Sequence, residues 1–136
     1  MSPRFLLDTN IVIYIRRARP PEVLQRFGRL QPGEAAISVV TYGELLLGVE
    51  RALNNAGALS TLEELVSLLP ALPLPISAAR AYGRTRAALA SQGQLIGNND
   101  LWIAAHAIAS ELTLVTNNVG EFRRVPGLKV ENWAKA

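Results

Sequence analysis

The sequence predicts an α/β fold with a central parallel sheet of about four to five strands flanked by helices. Three observations carry this expectation. Short, largely apolar runs at Phe5-Leu6-Leu7, Ala35-Ala36-Ile37-Ser38 and Leu112-Thr113-Leu114-Val115-Thr116 have the length of strands buried on both faces. Between them lie longer stretches whose apolar residues recur at helical spacing. No repeat, linker or shift of composition interrupts the chain, and 136 residues with 49% apolar content suit one domain, residues 1–136, around one core.

In chain order, the first strand ends at Asp8 and leads into a helix from Asn10 to the basic cluster Arg16, Arg17 and Arg19. Pro20-Pro21 breaks that helix and starts a second, Glu22 to Phe27, before a turn at Gln31-Pro32-Gly33. After the second strand, Leu45, Leu46, Val49 and Leu53 mark a helix from Thr41 that stops near Asn54-Asn55-Ala56-Gly57. Ser60 and Glu63 have capping-box spacing and predict the start of the next helix. Prolines at 70, 73 and 75 restrict residues 71–74 to a short edge strand, and a long helix follows from Ser77 to Gln92, ended by Gly93. Gly97-Asn98-Asn99-Asp100 is loop chemistry leading into the almost wholly apolar helix Leu101–Ser110, expected to be the central one. Asn117 to Phe122 is a turn or short helix, and Leu128–Glu131 is a last short strand.

Composition narrows the chemistry. With no cysteine and one histidine, disulfides, thiolate nucleophiles and histidine-rich metal sites are excluded. The opening Met1-Ser2-Pro3-Arg4 precedes only three apolar residues before Asp8, too few for a secretion signal, and no run is long enough to span a bilayer, so a cytoplasmic protein is expected, without a membrane role. The net charge is +3, and only two of the fourteen basic residues are lysine. Arginine suits forked contacts with phosphate, and equally a solvated helix face.

In parallel sheets ligands bind beyond the carboxyl ends of the strands, which selects the acidic residues to examine. Asp8 follows the first strand, Glu44 lies early in the helix after the second, Asp100 opens the central helix, and Asn117, Asn118 and Glu121 follow the strand ending at Thr116. Singly, each has an ordinary explanation: Asp8 as an N-cap, Thr41 with Glu44 as a capping box, Asp100 as a charge favoured by a helix dipole, and the asparagines as turn formers. Together they fall on one edge of one sheet, where independent caps have no need to converge. Two carboxylates about 4 Å apart repel by roughly 4 kcal/mol at an effective dielectric near 20, a cost that a divalent cation removes. An all-oxygen site suits Mg²⁺ or Mn²⁺, and phosphodiester hydrolysis is the reaction class such ions serve. His106, offset from the face of Asp100 in an apolar helix, is expected to be packed or exposed at its tip and stays outside the site.

These residues resemble the PIN-domain family, and within it the VapC toxins, from Phe5 to Trp133. Leu7-Asp8-Thr9-Asn10 is similar to the family's opening motif, Thr41-x-x-Glu44-Leu45-x-x-Gly48 to its second, and Asn99-Asp100 with Ile103-Ala104-Ala105-His106-Ala107 to its third. The stretch Leu114-Val115-Thr116-Asn117-Asn118-x-x-Glu121-Phe122-x-Arg124-Val125-Pro126-Gly127-Leu128, followed by Val130-Glu131-Asn132-Trp133, resembles one branch in particular. The resemblance implies a Mg²⁺-dependent endoribonuclease, with Mn²⁺ as a substitute, in which Asp8, Glu44 and Asp100 hold the metal while Thr9, Asn10 and Thr116 orient ligands or water. Where many members carry a fourth acidic residue this chain has Asn118, so either Asn118 or Glu121 completes the site. It further implies a homodimer and a cognate VapB-type antitoxin whose tail crosses the active-site groove, within a larger assembly that binds operator DNA through the antitoxin. The closing motif points to transfer RNA, cut in the anticodon region. Arg16, Arg17, Arg19, Arg84, Arg86, Arg123 and Arg124 are candidates to grip flanking phosphates. Two rivals stand beside this: a haloacid-dehalogenase-like phosphatase, which needs an Asp where Asn10 stands, and a catalytically inert PIN-like module that binds RNA or protein.

Overall fold

A computed structural model describes residues 2–135. Its elements are β1 (Phe5–Leu7), α1 (Thr9–Arg17), α2 (Pro21–Gly28), β2 (Ala35–Ser38), α3 (Val39–Arg51), α4 (Asn55–Leu68), β3 (Ala71–Leu72), α5 (Ala78–Ser91), α6 (Asn98–Ala109), β4 (Thr113–Val115), α7 (Val119–Phe122) and β5 (Val130–Glu131). All five strands are parallel, in the order β3-β2-β1-β4-β5. The expected architecture, including the short edge strand after Pro70, is the observed one.

The inner strands β1, β2 and β4 are largely apolar because both faces of the sheet are covered. Phe5, Leu7, Ala35, Ile37 and Val115 point into one core with Ile11, Val12 and Ile15 of α1, Val23 of α2, Leu45 and Val49 of α3 and Leu62 of α4. Leu6 and Leu114, one residue out of step, point the other way onto Leu101, Ile103, Ala104 and Ala107 of α6, with Leu89 and Phe122 beside them. Trp133 closes the first core edge-to-face on Phe5, 5.3 Å between ring centroids. Among the described residues no helix is long and apolar enough to cross a membrane.

Strand order explains where a site must form. The chain runs outward from β1 through β2 to β3, then crosses by α5 and α6 to β4 and outward again to β5. The connections therefore diverge between β1 and β4, and a crevice opens beyond their carboxyl ends. Asp8 and Thr116 are the next residues after those two strands, and the Asp8 N–H donates to the Val115 carbonyl at 3.0 Å.

Three local expectations are corrected. Helix α3 starts at Val39, where the Ser38 hydroxyl accepts the Val40 N–H at 3.1 Å, so Thr41 and Glu44 form no capping box. Helix α4 starts at Asn55, capped by Asn54 through the Gly57 N–H at 3.1 Å, which leaves Ser60 and Glu63 inside the helix. Asn54 outcompetes Ser60 because Gly57 lets it close in: a Cβ there would stand 2.6 Å from the Asn54 amide nitrogen. Helix α6 begins at Asn98, which places Asp100 within its first turn rather than before it.

His106 is packed, 1% exposed, with Nδ1 2.8 Å from the buried Ser38 hydroxyl. That contact pins α6 to the junction of β2 and α3. His106→Leu leaves a buried hydroxyl short of a partner and is expected to lower stability by about 1–3 kcal/mol in urea unfolding. Burial also lowers the imidazole pKa, so the unfolded chain takes up a proton near pH 6.5 while the folded chain resists it. Wild-type stability should therefore fall as pH drops below about 6.5, by a share that the leucine variant lacks.

Candidate active site

Asp8 is only 6% exposed, and its two oxygens have separate tasks. Oδ1 caps α1 by accepting the Ile11 N–H at 3.0 Å, and Oδ2 accepts the hydroxyl of Thr116, which is itself wholly buried. Thr116 in turn accepts the Asn118 N–H at 2.9 Å. Burial raises the Asp8 pKa, the bonds from Thr116 and Ile11 pull it back, and the charge of Glu44 raises it further. Asn10 contributes its backbone N–H to Asp8 and leaves its side chain exposed.

Glu44 reaches the same crevice from the second turn of α3, with Oε1 accepting the Thr9 hydroxyl at 2.7 Å. Asp100 enters from α6. Its pKa is raised to about 6, by burial first and then by the charges of Glu121, Asp8 and Glu44 in turn. Four carboxylates from four separate segments thus act on one another. Glu121 takes the Gly97 N–H on Oε1 at 3.3 Å and the Asn118 side-chain amide on Oε2. Asn118 and Glu121 are thus hydrogen-bonded to each other, and the Glu121 charge is felt by Asp100.

The donor set is all oxygen, anionic and mutually repelling, which fits a hard divalent cation. None of the four carboxylates is ion-paired among the described residues, where the salt bridges are Arg4–Glu34 and Arg26–Glu131. Nor is any group of three acidic or histidine side chains among those residues gathered closely enough to encircle an ion. Each outer carboxylate leans instead on its own neutral partner, Glu44 on Thr9 and Glu121 on Asn118.

The arginines divide. Arg16 lines a cleft of 370 Å³ with Thr9, Ile13, Glu44, Leu45 and Gly48. Arg17, Arg19 and Arg123 are exposed, and Arg124 reaches the Leu95 carbonyl at 3.5 Å. Arg86 binds the Tyr82 hydroxyl at 2.6 Å and Asn98 at 3.3 Å, beside the first turn of α6. Arg84 is not brought to the crevice: it lines a different cavity with Ile108, Ala109 and Pro126, at the far end of α6. Periodicity could not separate Arg84 from Arg86, because the end of α6 that each meets is set by the antiparallel packing of α5. Sequence reasoning missed Asn98 and the chain Tyr14–Asn117–Asn132, bonded at 3.3 and 3.1 Å. The run of asparagines at helix and strand ends was the available signal.

The PIN domain matches residues 5–128. A ribonuclease VapC2 of Haemophilus influenzae is 42% identical over 130 residues, covering 96% of this chain and 98% of that protein. The chain belongs to the PIN-domain family, in its VapC branch. The tRNA(fMet)-specific endonuclease VapC of Shigella flexneri is 41% identical to this PIN domain, over 96% of this chain and 98% of its own. The crystal structure of VapBC2 from Rickettsia felis bound to a promoter DNA fragment superposes with a TM-score of 0.87 at 38% identity, covering 95% and 98% of the two chains.

The raised Asp100 pKa is a statement about stability in this PIN domain. The unfolded carboxyl ionises near 3.8 and the folded one near 6, so native stability falls as pH rises through that window and stays reduced above it. Asp100→Asn should therefore stabilise the fold at pH 7, by about 1 kcal/mol once solvent screening of a half-exposed group is allowed for, with no gain below about pH 4. Denaturant titrations at the two pH values check this. An equal effect at both would mean that Asp100 does not feel the other carboxylates.

Proposed function

We propose that the chain is the toxin of a type II toxin–antitoxin pair, a Mg²⁺-dependent endoribonuclease. The observation that carries this reading is the convergence of Asp8, Glu44 and Asp100, with Glu121, at the β1/β4 crevice, where the other three each raise the pKa of Asp100. Asp8, Glu44 and Asp100 would hold the cation, with Glu121 as the fourth carboxylate. The cation would neutralise charge on the phosphoryl oxygens and activate water. The chain's own groups do the positioning. Ile11 and Thr116 fix Asp8 from two sides, Thr9 orients Glu44, and Asn118 orients Glu121. A recessed, acidic crevice admits a phosphodiester only where the strand can be drawn out, which favours an unpaired loop over a duplex.

Substrate and partner follow from the relatives. The name of the Shigella flexneri relative specifies initiator transfer RNA, and a transfer RNA cut in its anticodon loop is the substrate that suits a recessed site. The Rickettsia felis VapBC2 complex is bound to a DNA fragment from its promoter, which supports a cognate VapB-type antitoxin here and an assembly on operator DNA. The same reading makes the toxin a homodimer and the antitoxin the DNA-contacting component. The cleft between α1, α3 and α4 is lined by Ile13, Leu45, Gly48 and Val49 together with Thr9, Arg16 and Glu44. It suits an apolar antitoxin segment ending in a basic side chain that meets Glu44.

The test is incubation of the purified protein with total bacterial transfer RNA in Mg²⁺, Mn²⁺ or EDTA, beside Asp8→Asn. Site-limited cutting that EDTA abolishes is expected, with a loss of roughly 100-fold or more in the variant. Cutting indifferent to both EDTA and Asp8→Asn would overturn the metal assignment, and no cutting of any RNA would favour the inert binding module. Asn118→Ala should lower cleavage less, by roughly 10-fold, because it releases Glu121 without removing its charge, and Glu121→Gln should exceed it. Full activity in the Asn118→Ala, Glu121→Gln double variant would confine the site to three carboxylates.

A further inference from the structure

The chain has two tryptophans, and they are used differently. Trp133 is 2% exposed in the core, whereas Trp102 is half-buried on the flank of α6 with Tyr82 of α5 stacked on it, centroids 3.9 Å apart and planes inclined by 14°. The exposed Arg86 guanidinium lies over the Tyr82 ring at 5.9 Å and donates to the Tyr82 hydroxyl. Asn98 Oδ1 accepts both the Tyr82 hydroxyl and Arg86. Asn98 and Trp102, one turn apart on α6, bracket Asp100 in sequence.

We propose that Trp102, Tyr82, Arg86 and Asn98 form a nucleotide subsite that takes an unpaired RNA base next to the scissile phosphate. The proposal rests on the ribonuclease reading above and deepens it. Packing α5 on α6 calls only for aliphatic side chains, as at Leu89 and Leu101. The surface instead holds two flat rings in register, and a cation and an amide fixed on their rim. Arg86 has no carboxylate partner among the described residues, although four carboxylates cluster near the first turn of the adjoining helix. Tyr82 and Asn98 hold it to the ring edge, with guanidinium donors still free. A strand whose phosphate enters an anionic crevice needs cationic contacts for the phosphates on either side, and unpaired bases gain by stacking on aromatic faces. Stacking tolerates any base, so the subsite selects for single-stranded character, while Asn98 and Arg86 present donors to a base edge or phosphate.

The experiment follows tryptophan emission while Asp8→Asn protein, which binds without cutting, is titrated with an RNA hairpin bearing an unpaired loop and with a fully paired duplex of equal charge. Because Trp133 is buried, quenching by the loop reports on Trp102. The loop is expected to quench emission and the duplex to leave it unchanged. Trp102→Leu in the same background should weaken loop binding about tenfold, and Trp102→Phe should restore most of it. Arg86→Gln, an exposed change that spares the fold, should reduce the slope of log affinity against log salt by about one. Loop binding unchanged in folded Trp102→Leu, with an unchanged salt slope in Arg86→Gln, overturns the proposal, and cleavage persisting through Trp102→Leu then leaves the ribonuclease reading intact. Conversion of Trp102→Leu from dimer to monomer at unchanged RNA affinity would reassign the surface to contact between copies and equally overturn it. Absence of RNA binding by every protein would remove the ribonuclease reading, and the subsite with it.

Discussion

Asp8 is gripped from two directions, by the first turn of the helix that follows β1 and by the hydroxyl that follows β4. Those two strands belong to different halves of the chain, and the Asp8–Thr116 bond spans 108 positions. It closes the sheet at the one place where the connections diverge and a crevice must open. One run of polar contacts leads from that bond across the site: Thr116 passes it on to the Asn118 backbone, and Asn118 passes it to Glu121. Asp8 is therefore at once a helix cap and the fixed point of an acidic cleft. A buried carboxylate with both oxygens satisfied cannot swing away from its neighbours.

Fixing one carboxylate creates the electrostatic problem that the rest of the site manages. Glu44 and Asp100 arrive on helices whose apolar faces are committed to opposite sides of the sheet, Leu45 and Val49 below one face and Leu101 and Ala104 below the other. Neither helix can retreat without uncovering a core. The consequence appears in the protonation of Asp100, whose pKa is raised first by its burial and then by the other three carboxylates. Apolar packing thus holds together charges that would separate if free, and this is the arrangement expected of a site that takes up a counter-charge during function.

The strands, the central helix and the identity of the acidic residues were legible in the sequence because they follow from local pattern: largely apolar runs, an apolar helix, and acids at strand ends. Helix starts were less legible. Thr41 and Glu44 have the spacing of a capping box, yet Ser38 caps α3 because β2 delivers it there already buried, with His106 waiting across the sheet. Ser60 lost to Asn54 through the close approach that Gly57 allows. Asn118 and Glu121 stood as competing candidates because sequence shows position and not pairing. The same blindness hid the surface of α5: Tyr82 and Arg86 have visible four-residue spacing, but their partners Asn98 and Trp102 become neighbours only when α5 and α6 pack antiparallel.

The account depends on the four carboxylates forming one site for one cation, and its most direct test is thermal unfolding with and without Mg²⁺. Wild-type protein should gain stability with rising Mg²⁺, in the manner of a ligand that binds only the folded state, while Asp8→Asn should show little or no shift despite being folded. An equal shift in both proteins, or none in wild type at millimolar Mg²⁺, would contradict it.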